Sequence, residues 1–272
     1  MALWQDGDLV IEEGKLHYYR TGGAKPPFVL LHGFTDDGLC WTRTAEALEN
    51  EYDVIMPDAR GHGLSSDFPP QKFTLKEMAI DLIRLFQKLG IKAPIVLGHS
   101  MGARVAAYVA AAAPPLVGKL ILVDPEWSGE LFNATKEDRA SKAEVCRNRV
   151  RSWKNMTPQQ IIVELRRSQP INWHKTEYTT WAEAKQRVSP NVSGLILADP
   201  VALQEIIPKI VCPTLLIYGD TSAGAILDEK TVNAIVQMNP KIKLYHIPQA
   251  SHEVHRDKFD VFIKAVRDFL AS

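Results

Sequence analysis

Short apolar runs recur along most of the chain and alternate with longer segments of helical period. Six of the runs are rich in Val, Ile and Leu and alternate little with polar residues, as is typical of strands buried on both faces of a parallel sheet. These runs are residues 28–32, 53–57, 95–98, 119–124, 214–219 and 243–248. Two further strand-like runs within residues 8–20, on either side of Gly14, predict a hairpin.

The segments between these runs predict helices. Residues 75–89 and 259–270 carry apolar side chains at every third or fourth position, which forms one apolar stripe on each predicted helix. Residues 101–113 are rich in alanine and end before Pro114 and Pro115. Strand and helix alternation of this kind predicts an α/β fold with a doubly wound, mostly parallel sheet.

The alternation stops between residues 126 and 211. This stretch has no convincing strand pattern, several amphipathic helical segments, and four of the six tryptophans in the chain. Because it is too long for a loop between two strands, we predict an inserted helical cap at residues 126–211, over the C-terminal ends of the strands. The α/β core would then comprise residues 1–125 and 212–272.

Charge and composition narrow the class of partner. Lys+Arg and Asp+Glu are both 32, so the formal net charge is zero, which argues against binding to nucleic acid or to anionic membranes. A small neutral or amphiphilic substrate fits this balance better than a polyanion. No apolar run approaches the roughly 18 residues of a membrane span, and the first residues lack a signal-peptide pattern.

The cysteines and glycines give no sign of a metal, a cofactor or a disulfide framework. The three cysteines are widely spaced and odd in number, and no glycine-rich phosphate loop is present. We therefore expect a cytoplasmic protein that needs no cofactor. The sequence leaves the oligomeric state open.

The sequence Gly98-His99-Ser100-Met101-Gly102 lies between a predicted buried strand and the Ala-rich helix. This is the context of a nucleophile elbow, a sharp turn that presents a serine hydroxyl. We predict Ser100 as the nucleophile and the Met101 N–H, at the helix N-terminus, as an oxyanion donor. The alternative is a glycine-flanked turn without a chemical role.

A second oxyanion donor is expected after the run at residues 28–32, where Gly33 and Phe34 follow His32. Gly33 permits close approach of the backbone, and the Phe34 N–H would point at the substrate carbonyl. A His-Gly pair also fits an ordinary turn at a strand end.

The general base is expected after the last predicted strand, where His252 and His255 are the candidates. The small residues Ala250 and Ser251, and a helix that begins a few residues later, favour His252 on a loop facing the elbow. His255 is expected to face solvent or the start of that helix.

Together these motifs resemble the α/β-hydrolase superfamily, in the branch of serine esterases, cofactor-free haloperoxidases and C–C bond hydrolases with a helical cap. The resemblance covers almost all of the chain outside the predicted cap. The motifs are HGF at 32–34, DARGHGLSS at 58–66, GHSMG at 98–102, LILVD at 120–124 and SHEVHRDKF at 251–259. Within DARGHGLSS, we interpret as scaffolding Asp58, Arg60, Gly61, His62 and Gly63.

The resemblance also implies an acid that orients the base, and here the sequence departs from the family pattern. The family commonly carries this acid shortly after the strand that follows the cap, where this chain has Ser222. Asp220 stands close by, and Asp228 lies beyond a stretch of small residues.

Some family members instead carry the acid at the end of the strand after the elbow helix, where this chain has Asp124 and, two residues later, Glu126. A carboxylate at that strand end can reach the same imidazole nitrogen from the neighbouring strand. We favour Asp124, and Asp220 and Glu126 remain alternatives.

The residue type of the predicted nucleophile limits the reactions that the protein can catalyse. Ser100 excludes the related haloalkane dehalogenases and epoxide hydrolases, which use aspartate there, and favours attack on acyl carbonyls through an acyl-enzyme that water then hydrolyses. We predict a serine hydrolase of small to medium carboxylic esters. Amidase, thioesterase, C–C bond hydrolase, lactonase and perhydrolase activities remain alternatives, as does a small-molecule receptor with slow turnover.

The cap tryptophans predict an aromatic substrate pocket. We expect Trp127 and Trp153 to bind the substrate, with Met156 and Ile171 adding to an apolar wall. The alternative is that the tryptophans form the cap's own core.

Overall fold

The computed structural model describes residues 4–11, 14–127, 134–168 and 173–272. The described residues include an eight-stranded sheet. Its strands are β1 (Gln5–Ile11), β2 (Gly14–Arg20), β3 (Pro27–Leu31), β4 (Asp53–Pro57), β5 (Ile95–His99), β6 (Lys119–Val123), β7 (Thr214–Tyr218) and β8 (Lys243–His246).

The spatial order of the strands is β1-β2-β4-β3-β5-β6-β7-β8. β1 and β2 pair antiparallel, β2 pairs antiparallel with β4, and all other neighbours are parallel. The predicted hairpin and the predicted mostly parallel sheet are therefore confirmed. In a parallel series all carboxyl ends lie at one edge, and this edge collects the loops after β3, β5, β6, β7 and β8.

Helices cover both faces of the sheet, as a doubly wound fold requires. Along β3, Phe28 and Leu30 belong to one buried cluster, whereas Val29 and Leu31 belong to the other. The described helices are α1 (Thr42–Leu48), α2 (Leu75–Leu89), α3 (Met101–Ala112), α4 (Lys136–Lys154), α5 (Pro158–Ser168), α6 (Lys175–Arg187), α7 (Gly194–Leu197), α8 (Leu203–Ile206), α9 (Glu229–Met238), α10 (Val254–Asp257) and α11 (Phe259–Leu270).

Helix α2 has the predicted bounds, and its ends explain why. The Thr74 hydroxyl accepts a hydrogen bond from the Glu77 N–H at the first turn, and Gly90 ends the helix with a φ of 65°. Helix α2 packs with α3 on one face of the sheet, and α1 and α11 lie on the other.

Helices α4 to α8 lie between β6 and β7, and the described part of this stretch contains no strand. We call these five helices the helical insertion. Two ion pairs tie α6 to the loop after β3. Lys185 lies 3.0 Å from Asp36 in a buried pair, and the partly exposed Arg187 lies 2.7 Å from the buried Asp37. The division of the chain into a core and a cap stays a prediction. Within the described residues, no helix combines the length and apolar character needed to cross a membrane.

Candidate active site

Ser100 lies in the turn between β5 and α3, with φ 52° and ψ −115°. Its N–H donates to the Val123 carbonyl at 2.9 Å, which ties the turn to the end of β6. A Cβ on Gly98 would come within 2.3 Å of the Gly102 oxygen, and one on Gly102 within 2.4 Å of the Leu31 oxygen. Close backbone approach therefore requires both glycines, while the backbone strain, of the order of 1–3 kcal/mol, falls on the serine.

The loop after β3 is held by His32. The Ala59 N–H donates to His32 Nε2 at 2.9 Å, so the ring proton is on Nδ1, which donates to the Gly33 carbonyl at 2.8 Å. Burial lowers the pKa of His32 and keeps the ring neutral. Because the peptide between Gly33 and Phe34 is trans, the Phe34 N–H points away from His32.

His62 holds the same loop from its other side. The Thr35 N–H donates to His62 Nε2 at 3.3 Å, and His62 Nδ1 donates to the Arg60 carbonyl at 2.8 Å. Burial lowers the pKa of His62 to about 3, so this ring is neutral as well. The Phe34 N–H has no acceptor among the described residues, which leaves it available to a ligand.

His252 follows β8 and meets Asp124 at the end of β6. His252 Nδ1 donates to Asp124 Oδ2 at 2.6 Å. The Asp124 side chain is fully buried, and its oxygens also accept the N–H groups of Ile226 at 2.9 Å and Leu227 at 3.0 Å. Backbone donors thus fix the carboxylate, and the carboxylate fixes the orientation and tautomer of the imidazole.

The surroundings of His252 favour its protonated form. Burial by itself would lower the pKa of His252, but the hydrogen bond and the charge of Asp124 outweigh burial and raise the pKa above 6.5. An imidazole with a raised pKa is a stronger base, and a partner that stabilises the imidazolium suits a group that accepts a proton from a serine hydroxyl.

A second histidine positions the first. His99 Nε2 donates to the His252 carbonyl at 2.8 Å, and the two ring centroids lie 4.5 Å apart. Burial and the charge of His252 lower the pKa of His99 to about 4. A Cβ on Gly33 would lie 2.7 Å from His99 Nδ1. The loop that carries Phe34 and the loop that carries His252 therefore both pack on this ring. Sequence reasoning assigned His99 no role.

His255 does not face solvent, so that part of the expectation was wrong, but its ring does lie 6.2 Å from that of Phe262 in the first turn of α11. Its side chain is 1% exposed, and its ring centroid lies 4.6 Å from that of Trp41 and 4.7 Å from that of His99. The short helix α10 turns this side chain into the protein interior, where burial lowers its pKa well below 6.5.

The other candidate acids lie elsewhere. Asp220 accepts from His246 Nε2 at 2.6 Å and from the Gln249 N–H at 2.7 Å. Asp228 caps α9 by accepting the Thr231 N–H. Glu126 lies 3.5 Å from Arg104. None of these three carboxylates is hydrogen-bonded to His252 within the part of the chain that the structure describes.

A cavity of about 310 Å³ lies at this edge of the sheet. Ser100, Met101, Phe34 and His252 all line its wall. The structure therefore brings the predicted nucleophile, base and oxyanion residues to one cavity, while Asp124 lies behind the base, out of contact with solvent. A cavity of this size suits a small ligand.

Trp127 and Trp153 are not on the described wall of this cavity, so the prediction that they bind the substrate gains no support from it and stays a prediction. Both side chains are buried in the larger hydrophobic cluster, as is expected of large apolar groups that can be removed from water. Met156 packs against the same cluster. Ile171 lies outside the described residues.

Arg104 and Arg139 line the cavity, and sequence reasoning did not select either residue. Arg104 stands four residues after Ser100 in a helix that is otherwise almost entirely small and apolar, which was a usable signal. Arg139 is one of many basic residues on α4, so nothing in the sequence distinguished it.

Asp36, also on the cavity wall, belongs to a buried group of charges. It accepts from Lys185 at 3.0 Å and from Arg256 at 3.1 Å, and Lys185 also donates to the Thr35 carbonyl at 3.1 Å. Burial would raise the pKa of Asp36, but Arg256 and Lys185 outweigh burial and lower it. This cluster joins the helical insertion to the loop that carries Phe34.

One group of possible metal ligands lies next to the site. Potential ligand atoms of His99, Glu253 and His255 all lie within 4.8 Å of one another. Arg256 is hydrogen-bonded to Glu253, and its charge also acts on both histidines. The Arg256 guanidinium already supplies the positive charge beside Glu253 that a metal ion would bring, so these residues do not fit a metal.

Comparison with known proteins agrees with this fold. A family model described as the alpha/beta hydrolase fold matches residues 26–152. N-formylmaleamate deformylase of Pseudomonas putida is 27% identical over 260 residues, which cover 93% of this chain and 92% of the relative. Pimeloyl-[acyl-carrier protein] methyl ester esterase of Vibrio parahaemolyticus is 27% identical over 263 residues, 93% and 97% of the two chains.

The crystal structure of E-2-(acetamidomethylene)succinate hydrolase superposes with a TM-score of 0.84 at 20% identity, over 99% of this chain and 100% of that one. The chain has the α/β-hydrolase fold. Within this fold, the described cavity lies at the carboxyl edge of the parallel strands, which is where open α/β sheets bind ligands.

Proposed function

We propose that this α/β hydrolase cleaves small to medium carboxylic esters through an acyl-enzyme, with Ser100, His252 and Asp124 as its catalytic triad. The observation that carries the proposal is the 2.6 Å hydrogen bond between His252 and the buried Asp124, behind a cavity that Ser100 also lines. A serine beside an oriented imidazole is the arrangement that nucleophilic acyl transfer needs.

The proposed reaction runs in two halves. Ser100 Oγ attacks the acyl carbon and gives its proton to His252 Nε2, and the resulting oxyanion accepts hydrogen bonds from the N–H groups of Phe34 and Met101. The tetrahedral intermediate then expels the alcohol, which takes the proton from His252. Water, activated by His252, repeats the sequence and releases the acid.

Hydrolysis of a small amide is the second candidate. It is supported by the relative of nearly equal length that is a deformylase of N-formylmaleamate, whose name implies cleavage of an acyl–nitrogen bond. An amide leaving group needs the same protonation by His252 as an alcohol does, so the two activities share one site.

Labelling with a fluorophosphonate probe, with Ser100→Ala as control, tests the nucleophile. We expect labelling of the wild type, none of the variant, and sustained turnover of short 4-nitrophenyl esters by the wild type alone. A single turnover that ends in a stable adduct would indicate a receptor instead of an enzyme. Failure of the wild type to label would overturn the proposal.

A further inference from the structure

The charged wall of the cavity holds two arginines that the triad does not use. Arg104 extends from α3, about one helical turn after Ser100, and Arg139 extends from α4 in the helical insertion. The Arg104 side chain is 10% exposed and that of Arg139 is 9% exposed. A guanidinium group that is removed from water in a small cavity needs an anionic partner, so the partners of Arg139 decide what the cavity can bind.

Within the described residues, one donor of Arg139 has a partner. Its Nη2 donates to Asp199 Oδ1 at 2.8 Å, but the Asp199 side chain is 84% exposed, and an ion pair with an exposed carboxylate contributes little because water screens it. Arg139 Nε is buried and has no acceptor within the described residues. Nε and Nη2 form the planar edge that binds a carboxylate through two parallel hydrogen bonds.

The remaining carboxylates on the wall already have cations of their own. Asp36 pairs with Lys185 and Arg256, and Glu253 pairs with Arg256. Burial lowers the pKa of Arg104 despite the nearby Glu126, which lies 3.5 Å away. An anion that entered the cavity would thus meet the Arg139 guanidinium, whose buried Nε has no acceptor within the described residues.

We propose that Arg139, together with Arg104 on the same cavity wall, binds a free carboxylate of the substrate. The ester or amide that Ser100 attacks would then belong to a small acid that carries a second, ionised carboxyl group. This inference rests on the proposed function, and it replaces the neutral substrate suggested by overall charge with an anionic one.

A matched pair of substrates tests the proposal. Monomethyl succinate and methyl butyrate have acyl chains of the same length and differ at the end, where one has a carboxylate and the other a methyl group. We expect wild-type kcat/KM to favour monomethyl succinate by about 10- to 100-fold, as charge-assisted hydrogen bonds would give. Acid release, followed with a pH indicator, measures both reactions.

Arg139→Gln isolates the contribution of the guanidinium. We expect this variant to lose about 10- to 100-fold in kcat/KM for monomethyl succinate and to change less than about 3-fold for methyl butyrate. Arg151→Gln, on the exposed surface of the same helix, is the matched control and should leave both values unchanged. Equal loss on both esters would indicate a structural role and overturn the proposal.

Binding to Ser100→Ala keeps the test valid if Arg139→Gln does not fold. We expect calorimetry to show succinate binding at least about 10-fold more tightly than butyrate, with the difference falling as salt is added. Equal binding of the two acids overturns the carboxylate site. By contrast, loss of fluorophosphonate labelling in the wild type would overturn the hydrolase proposal, so the two failures are distinguishable.

Discussion

Two neighbouring strands end at the same edge of the sheet with an aspartate hydrogen-bonded to a histidine. Asp124, after β6, binds His252, and Asp220, after β7, binds His246, both at 2.6 Å. The Asp124 side chain is fully buried, whereas that of Asp220 is 30% exposed and its histidine 42% exposed. One aspartate–histidine pair therefore lies behind the cavity, and the other lies at the surface.

The two pairs have the same chemical groups but different environments, and only the environment of the buried pair suits the proposed triad. Removed from water, the charge of Asp124 raises the pKa of His252, and two backbone N–H groups hold the carboxylate still. Asp220 instead accepts the Gln249 N–H and so anchors the loop that leads to His252. In the proposed triad one aspartate orients the base, and the other holds the segment that carries His252.

The largest expected effect is on kcat, when each aspartate in turn is replaced by asparagine. These two variants should separate the two roles. We expect Asp124→Asn to lower kcat by about 10⁴, because the amide no longer stabilises the imidazolium or selects its tautomer. Asp220→Asn should retain kcat within about 5-fold. Ester hydrolysis measured on both variants decides this, and near-normal turnover by Asp124→Asn would reassign the acid.

The pH dependence of activity should differ between the same two variants. Protonated His252 cannot accept the Ser100 proton, so kcat/KM should fall as the pH drops through the His252 pKa, which lies above 6.5 in the wild type. Asp124→Asn removes the charge that raises this pKa and should move the acid limb to lower pH. Profiles of kcat/KM from pH 5 to 9 measure the shift, and Asp220→Asn should leave the midpoint in place.

The smallest expected effect is that of Asp220→Asn on the stability of the folded protein. The Gln249 N–H, followed by His246, lowers the pKa of Asp220 below 3.8. The ionised carboxylate therefore stabilises the folded protein above pH 3.8, and this contribution disappears as the pH falls through the lowered pKa. Asp220→Asn should lower Tm by less than about 4 °C at pH 7.

Thermal melts of wild type and Asp220→Asn at pH 7 and at pH 3 provide the measurement. The difference in Tm should be smaller at pH 3 than at pH 7. A difference that persists unchanged at low pH would mean that the carboxylate charge is not what holds the loop.

Between β6 and β7 the sequence pattern did not indicate which side chains line the cavity. Apolar character made the tryptophans look like pocket residues, yet Trp127 and Trp153 are buried in the hydrophobic cluster. Arg139, which does line the cavity, looked like any basic residue of α4. Whether a side chain on such a helix points into the cavity depends on how the helix packs, and the pattern along the chain does not specify this rotation.

The sequence by itself determined the sheet, the elbow at Ser100 and the position of His252, because these depend on contacts close along the chain and on the order of strands. Two glycines fix the elbow, and a parallel sheet collects its carboxyl ends at one edge. The choice of Asp124 over Asp220 was different. Both stand at suitable strand ends, and the sequence favoured Asp124 without excluding Asp220. Only the tertiary structure shows that the fully buried Asp124 lies 2.6 Å from a nitrogen of His252, 128 positions away along the chain, and we therefore propose Asp124 as the acid.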